Sequence, residues 1–548
     1  MELVLNCLQS KSNPKHALEI STERDGNVLY QQKESDDQFV DWRGREANPK
    51  KHGGIRAAAL TCVVGVLINM VFLSNAINFV SYFRLSMHYS PATSANMVTN
   101  FMGTSFLLSI VGGFICDSLF TSFTTFIIFC AINLVGVILL AIQAQFTHLR
   151  PAVDVKPTLF QATILYIGLY AFAAGIAGLN VALPAHGADQ LDHNDARLIS
   201  AFLNWFNFAI CLGGLISSTV MVWVEDHIGW NWSFLITVTA LSFSLVIFVT
   251  GTPFYRHKRP TAGNSLTRII TVLACAARNW KASSNERMGN QYAVSPINRS
   301  RADGQSYDKL KFLDKALIGN TISVAHVEET RTFLGLLPIF ASTIMMNCCL
   351  AQVETFSVVQ GSKMNRKLHN FEIPTQSLNV PPLFIMLASI PLCERFQHKS
   401  RMLQPLWRIG LGIALASGSM AVAALVEAKR REAAHNDVTL SVFWLGWQFF
   451  LLGVCDVLTL GGMLEFFYSE APSTMRSMCA ALSWCSISLG YFLSSVLVSI
   501  ANSVSGKFGT QWLGGDDLNH MRLDLFYTLL GILNTVNFLN YIYWAKRY

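Results

Sequence analysis

From Ile199 to Val224, and again from Ser477 to Gly506, the chain carries no charged side chain. A helix needs about 20 predominantly apolar residues to cross the hydrocarbon of a bilayer, and both stretches exceed that. Ten further segments meet the same requirement, so twelve spans are expected. They lie near 57–83, 95–116, 119–145, 158–183, 199–224, 230–252, 332–358, 373–393, 405–426, 440–464, 477–503 and 525–545. The eighth is the weakest, because Pro374, Pro381, Pro382 and Pro391 interrupt it. Proline is tolerated in a membrane helix where neighbours satisfy the freed carbonyls. Composition agrees: 14% of the 548 residues are charged and 52% hydrophobic, against about 25% charged in a soluble protein.

Six spans precede residue 253 and six follow residue 331, which divides the chain into five parts. These are a tail (1–56), a first six-helix bundle (57–252), a basic linker (253–330), a second six-helix bundle (331–545) and a short end (546–548). The linker carries twelve Lys or Arg residues between Arg256 and Lys315, and its acids are Glu286, Asp303, Asp308, Asp314, Glu328 and Glu329. Basic flanks stay in the cytosol, so linker and both termini are expected there. Two far-side loops conflict with that rule, at Lys363, Arg366 and Lys367 and at Lys429, Arg430 and Arg431. Within the linker, LTRIITVLACAARNWK (266–281) has helical spacing with basic ends. Two placements stand: on the inner membrane face, or packed on the bundle.

The net charge of +7 is scattered between apolar runs rather than gathered in one patch, so nucleic acid is not an expected partner. The 12 cysteines contain no C-x-x-C pair and most lie in apolar runs, which makes them small packing residues. No apolar segment follows Met1 that would act as a cleavable signal peptide. No H-E-x-x-H, Walker A loop, G-x-S-x-G or G-x-G-x-x-G occurs, so an enzyme activity and a cofactor have no support.

A 6 + 6 arrangement around a basic loop is the layout of the major facilitator superfamily. The fold class expected is thus an all-α membrane protein of twelve transmembrane helices, with its substrate site between the halves near the midplane. Several stretches go further. VDWRGREANPKKHGGIRAA (40–58), TNFMGTSFLLSIVGGFICDS (99–118), HGADQLD (186–192), FLNWFNFAICLGGL (202–215), EETRTFLGLLPIF (328–340), LWRIGLGIALA (406–416), LEFFYSEAPSTMRS (464–477) and LGYFLSS (489–495) occur in this order. Together they resemble the plant nitrate-and-peptide transporter family, a branch of the proton-dependent oligopeptide transporters. FLSNAINFVSYF and LPAHGADQ are most similar to the subfamily containing transporters of abscisic acid, other hormones and, in some members, nitrate. The resemblance implies alternating access for a small-molecule substrate, protons as possible co-substrates and residence in the plasma membrane, with the vacuolar membrane the alternative.

Departures from the family pattern define the candidate site. Family members carry two acids about one turn apart on the first helix; aligned on NAINFVSYF, those positions are Gly65 and Ile68. The apolar run nevertheless holds Asn69, Asn75 and Asn78, and an amide in hydrocarbon costs about 1–3 kcal/mol or more unless hydrogen-bonded. They either line a cavity or hold helices together; the second reading is preferred for Asn75 and Asn78, and both stand for Asn69. The family's helix-four lysine is replaced by Asn180, and its helix-ten acid survives as Asp456. An ionisable group in a span is a functional candidate by default: Asp456 either carries a proton or accepts a bond from substrate, or is structural. The histidine of a nitrate site is replaced by Leu350, two residues before Gln352, and Glu354 stands nearby, as a replacement proton site or an acid near the outer mouth. Asn204, Gln352, Trp444 and Gln448 complete the candidate cavity, with Trp205, Phe208, Trp447 and Tyr82 as further wall. Asp117, Arg331 and Glu465 are expected to gate or brace, Glu465 through a loop cation. The sequons at Asn231 and Asn298 are expected to be silent, one too near the membrane and one cytosolic. The leading functional expectation is transport of a hormone-like weak acid such as abscisic acid or gibberellin, with absent or non-standard proton coupling. A nitrate or di/tripeptide symporter is the alternative, and a non-transporting receptor or scaffold is the alternative of another class.

Overall fold

The computed structural model describes residues 39–48, 51–89, 91–152, 155, 157–192, 195–258, 265–280, 310–317, 322–368, 371–373, 376–397, 404–472, 475–508, 511–513, 518 and 521–548. Among them, eleven helices are long and apolar enough to cross a membrane. In chain order the first half holds α1 (Ile55–Leu85), α2 (Pro91–Leu107, continued by Ser109–Ser118), α3 (Ser122–Gln145), α4 (Leu159–Asp189), α5 (Ala196–Ile216, continued to His227) and α6 (Trp230–Thr250). The second half holds α7 (Val324–Glu354), α8 (Val380–Gln397), α9 (Pro405–His435), α10 (Gly446–Ser469), α11 (Arg476–Lys507) and α12 (Leu523–Arg547). The expected eighth span is present as the 18-residue α8, but it falls outside the eleven. Pro381, Pro382 and Pro391, with Glu394 and Arg395 in its last turn, lower its hydropathy.

Several helices outrun the apolar stretches that announce them. α7 begins at Val324, where Ser323 caps it by accepting from the Ala325 N–H, so Glu328, Glu329 and Arg331 lie inside the helix rather than beside it. α9 continues through the strong helix formers of EAKRREAA to His435. Hydropathy sees the apolar middle of such a helix and not its polar ends.

Two large buried cores fill the fold, one dominated by α1–α6 and joined by Tyr468, Ala480, Ala481 and Trp484 of α10 and α11, and one dominated by α7–α12. The most extensive packing between two helices is α3 against α4. A Cβ at Gly175 would sit 2.6 Å from the Asn133 Cα, and one at Gly136 would sit 2.5 Å from the Phe172 backbone N. Small residues let membrane helices approach closely enough for dispersion to hold them. The two halves meet through α2 and α4 on α11, and α5 on α8 and α10.

On the linker side, Phe39–Val40 pairs antiparallel with His257–Lys258. Arg256 fastens this corner: its Nε donates to the Asp189 carbonyl, its guanidinium also reaches the Leu191 carbonyl, and it lies 4.3 Å over the Phe39 ring. The HGADQLD stretch thus forms the end of α4 and a socket for the start of the linker. The linker helix Ser265–Arg278 packs on the bundle. Val272 and Ala276 join Leu313, Ala316, Ile322 and Val327 in a small core, and Arg268 pairs with Glu329 at 3.5 Å. Arg331 binds Asp314 and Glu328, each at 2.5 Å. Lys281 and the Asn298 sequon lie outside the described residues. At the other sequon the Ser233 hydroxyl is buried and donates to Glu225.

Four of the six far-side cations that conflict with the positive-inside rule are engaged within the fold. Arg430 pairs with buried Glu427 at 2.8 Å, Arg431 with Asp524 at 3.0 Å, and Lys429 lies over the Trp444 ring. Arg366 donates to the Ile373 carbonyl. Asn75 and Asn78 also differ from expectation: each donates to the carbonyl four residues back on α1, Val71 and Ser74, rather than to another helix.

The α3–α4 contact generates a prediction. Gly175→Val must push the helices apart, because a backbone atom rather than a flexible side chain opposes it. Overpacking costs about 1–3 kcal/mol, so the purified variant should unfold at a clearly lower temperature in detergent; an unchanged melting temperature contradicts the assigned packing.

Candidate functional site

A cavity of about 200 Å³ lies between the halves. Four helices from each half line it: α1, α2, α4 and α5, and α7, α8, α10 and α11. The remaining helices, α3, α6, α9 and α12, stand outside. The walls are mostly apolar, with Phe72, Phe106 and Trp484 prominent. Phe106 and Trp484 stack across the seam between the halves at 5.7 Å, nearly parallel.

The polar lining is mainly amide. Asn69, Asn180, Asn207 and Asn347 contribute from four helices, and Asp456 from α10. Asp456 is the one Asp, Glu, Lys, Arg or His among the described residues lining the cavity. Asn69 also donates to the Ile210 carbonyl of α5 at 2.7 Å, so it braces two helices while facing the cavity. Asn347 donates to Ser486 of α11 at 2.8 Å. Three polar atoms of lining side chains are buried with no partner among the described residues: Asn180 Nδ2, Asn207 Oδ1 and Trp484 Nε1.

Of the expected cavity residues, Asn69, Asn180 and Asp456 line this space together, and so does Leu350. Gln352 lies within the second half, where it donates to Ser494 at 3.0 Å. Gln448 is buried there too and donates to Ser357. Trp444, in the turn before α10, is 39% exposed and Trp447, in its first turn, is 66% exposed, so both face outward rather than into the cavity. Tyr82 packs on Trp230 and Phe234 inside the first half. Trp205 and Phe208 contact each other but do not line the cavity. Glu354 is the last residue of α7 and its side chain lies outside the described residues. The wall aromatics Phe72, Phe106, Trp484 and Tyr491 escape sequence reading. Nothing in an all-apolar helix marks which face meets the other half, and Asn207 and Asn347 hide for the same reason.

The two helix-one positions that hold acids in the family do not face the cavity. A Cβ on Gly65 would lie 3.1 Å from the Phe206 ring and 3.7 Å from Leu183, and Ile68 is buried. That space is filled by apolar side chains of α4 and α5.

On the linker side of the cavity, polar contacts tie the halves together. Asn204 of α5 donates to Glu394 of α8 at 2.8 Å and accepts from Arg408 of α9 at 3.2 Å. Arg408, 1% exposed, also pairs with Glu465 at 2.9 Å. Glu465 therefore finds its cation in the first turn of α9 rather than in a loop, and Asn204 lies in this bracket rather than on the cavity wall. Asp117, at the end of α2, accepts from the backbone N–H groups of Ser477 at 3.2 Å and Met478 at 2.8 Å. These lie in the first turn of α11, whose own N-cap position is Met475, which makes no side-chain cap. The first half thus supplies the side-chain cap that the second half lacks, accepting from N–H groups that a helix start leaves unpaired. Gly113 permits the approach: a Cβ there would lie 2.9 Å from the Met478 Cα.

Two helix bundles enclosing a central cavity, bracketed on one side, define an integral, multi-pass membrane transporter. Comparison with known proteins gives the family. Residues 123–513 match the POT family (PTR2). The chain is 54% identical to Protein NRT1/PTR FAMILY 4.2 of Arabidopsis thaliana over 523 residues, covering 94% of this chain and 99% of that protein. It is 52% identical to Protein NRT1/PTR FAMILY 4.1 of the same plant over 524 residues, with the same coverage. Among solved structures, the POT family transporter PepTSo superposes with a TM-score of 0.66 at 20% identity, over 90% of this chain and 98% of that one. An auto-inhibited POT family peptide transporter gives 0.64 at 18%, over 90% and 97%. The chain belongs to the POT family, in its NRT1/PTR branch, and has the major facilitator fold; this is a family of transporters, not enzymes.

The trans cap generates a prediction. Asp117→Ala removes it, and any parting of the halves on the linker side also breaks it. The variant therefore destabilises only the bracketed arrangement. Loss of a cap costs about 0.5–2 kcal/mol, roughly a 2- to 30-fold shift in population. Buried Cys479, beside the cap, should react faster with a maleimide, read by mass spectrometry of the purified protein; an unchanged rate contradicts the role of Asp117 as a lock.

Proposed function

We propose that this protein carries a small, largely apolar organic solute across the plasma membrane by alternating access, and that the solute is a hormone-like weak acid of the abscisic acid or gibberellin type. The observation that carries this reading is the cavity lining: aromatic walls, asparagine amides, an indole N–H and one carboxylate, with no cation among the described lining residues. Apolar pockets with a few convergent polar groups suit such solutes. Among solved relatives of the fold, one POT family transporter, 11% identical with a TM-score of 0.62, is in complex with 5-aminolevulinic acid, so the architecture is not confined to peptides.

Nitrate and di- or tripeptides fit less well. Nitrate has no un-ionised form near neutral pH, whereas a weak acid has one, and the described lining offers no cation to hold an anion. A peptide needs a cation for its terminal carboxylate, and Asn180 stands at the position where the family has lysine. With Gly65 and Ile68 packed against neighbouring helices, proton coupling through two helix-one acids has no residues to act on; Asp456 is left as the candidate proton carrier or substrate acceptor.

Uptake of labelled abscisic acid, gibberellin, nitrate and a dipeptide into expressing oocytes separates these readings. Saturable uptake of one or both hormones is expected. Nitrate or dipeptide uptake alone would replace the proposal with an anion or peptide carrier, and uptake of none of the four by surface-expressed protein would favour a receptor or scaffold. Asn180→Lys is expected to change the substrate profile by placing a cation in the cavity; at equal surface abundance, an unchanged profile and rate would remove Asn180 from the binding site.

A further inference from the structure

The linker helix Ser265–Arg278 is fastened to one half and leans on the other. Its Val272 and Ala276 enter the small core shared with the short helix Lys311–Leu317 and the start of α7. Ile269, 5% exposed, joins the large core dominated by α7–α12, which also holds Met475, Met478 and Cys479 at the start of α11. Polar contacts add to this attachment. Arg268 pairs with Glu329 of α7 at 3.5 Å. The Asn279 amide, just past the helix, donates to the Lys315 carbonyl at 3.0 Å, and the Lys315 ammonium donates to the Trp280 carbonyl.

Towards the first half, the linker helix packs against the last turns of α2, Ser109–Ser118. These turns carry Asp117, which caps α11, and Gly113, which Met478 approaches. The linker helix therefore lies at the seam between α2 and α11, beside the trans cap. Its two attachments are unequal. The second half holds it by apolar cores, an ion pair and amide bonds, whereas the first half meets it through one helix end. Parting of the halves on the linker side slides the helix off α2 and leaves it on α7. The apolar area uncovered by that movement counts against it.

Resting on the proposed alternating access, we infer that the linker helix is a strap. It is carried by the second half, reaches across to α2 and holds the linker side shut. The linker is then more than a connection between the bundles: it sets how readily the cavity opens on its own side. Whatever lifts the helix shifts the population toward the arrangement open there.

Two native cysteines read the test. Cys275 lies on the linker helix, partly buried against the small core, and reports whether the helix is seated. Cys211 of α5 lines the cavity and is 1% exposed, so it reports opening rather than uncovering of the strap. A membrane-impermeant maleimide is added to inside-out or right-side-out vesicles carrying the full-length protein, and each site is read by mass spectrometry. Arg268→Glu sets two acids against each other, and Val272→Asp places a charge in the small core. Both should speed labelling of Cys275. From the linker face, Cys211 should react about two- to fivefold faster in Arg268→Glu, since a partly exposed ion pair is weak, and about tenfold faster or more in Val272→Asp. From the far face it should react more slowly. Arg268→Glu with Glu329→Arg restores the pair and should return both cysteines toward their original rates, a rescue that general loss of stability does not give. Faster Cys275 with Cys211 unchanged from both faces overturns the strap, and so does failure of both variants to free Cys275. Either result leaves alternating access standing when Asp117→Ala exposes Cys211 from the linker face. No labelling of Cys211 from that face in any variant, Asp117→Ala included, overturns the alternating access on which the inference rests.

Discussion

Hydrocarbon offers no hydrogen bond, so every polar atom that this chain carries into the membrane must find its partner inside the protein. Most do. Asn75 and Asn78 turn back to their own helix. Asn534 of α12 reaches the Ile413 carbonyl of α9. Gln352, Asn347 and Thr343 use serines of α11. Asn180, Asn207 and Trp484 stand on the wall of the cavity between the halves.

The same constraint shapes the linker side. Arg408, Glu465 and Glu394 are charges taken out of water, and a buried pair recovers its desolvation only with good geometry and further hydrogen bonds. Asn204 supplies these from the opposite half, accepting from Arg408 and donating to Glu394. Asp117 does the same for α11. Both contacts put a group of one half where the other half has an unmet need, so they reward closure on that side and are lost on opening. An arrangement of this kind is bistable rather than continuously deformable, as alternating access requires.

The architecture is legible in the sequence because its signal is long and repeated: apolar stretches of membrane length, with a basic break after the sixth. Helix ends are less so. Polar helix formers extend α7 and α9 well past their apolar centres, and the prolines of α8 dilute the one span that hydropathy leaves in doubt. The apparent conflict at Arg430 and Arg431 arises because a sequence count treats each cation as free, whereas Glu427 and Asp524 neutralise them in the fold. At the site, Asn69, Asn180 and Asp456 can be found as polar residues out of place in apolar spans. Trp444 and Gln448 satisfy the same logic and stand elsewhere, because polarity alone does not report which face of a helix meets the seam. Asn207, Trp484 and Phe106 need the packing of α2, α5 and α11 to be seen.

The central claim is that the cavity between the halves carries a small organic acid rather than nitrate or a peptide. Competition within one uptake assay tests it most directly, with labelled abscisic acid in expressing oocytes and excess unlabelled abscisic acid, nitrate or a dipeptide. The account predicts saturable uptake that excess abscisic acid abolishes and that nitrate and the dipeptide leave unchanged. No saturable uptake, or uptake that nitrate or the dipeptide suppresses equally, would contradict it.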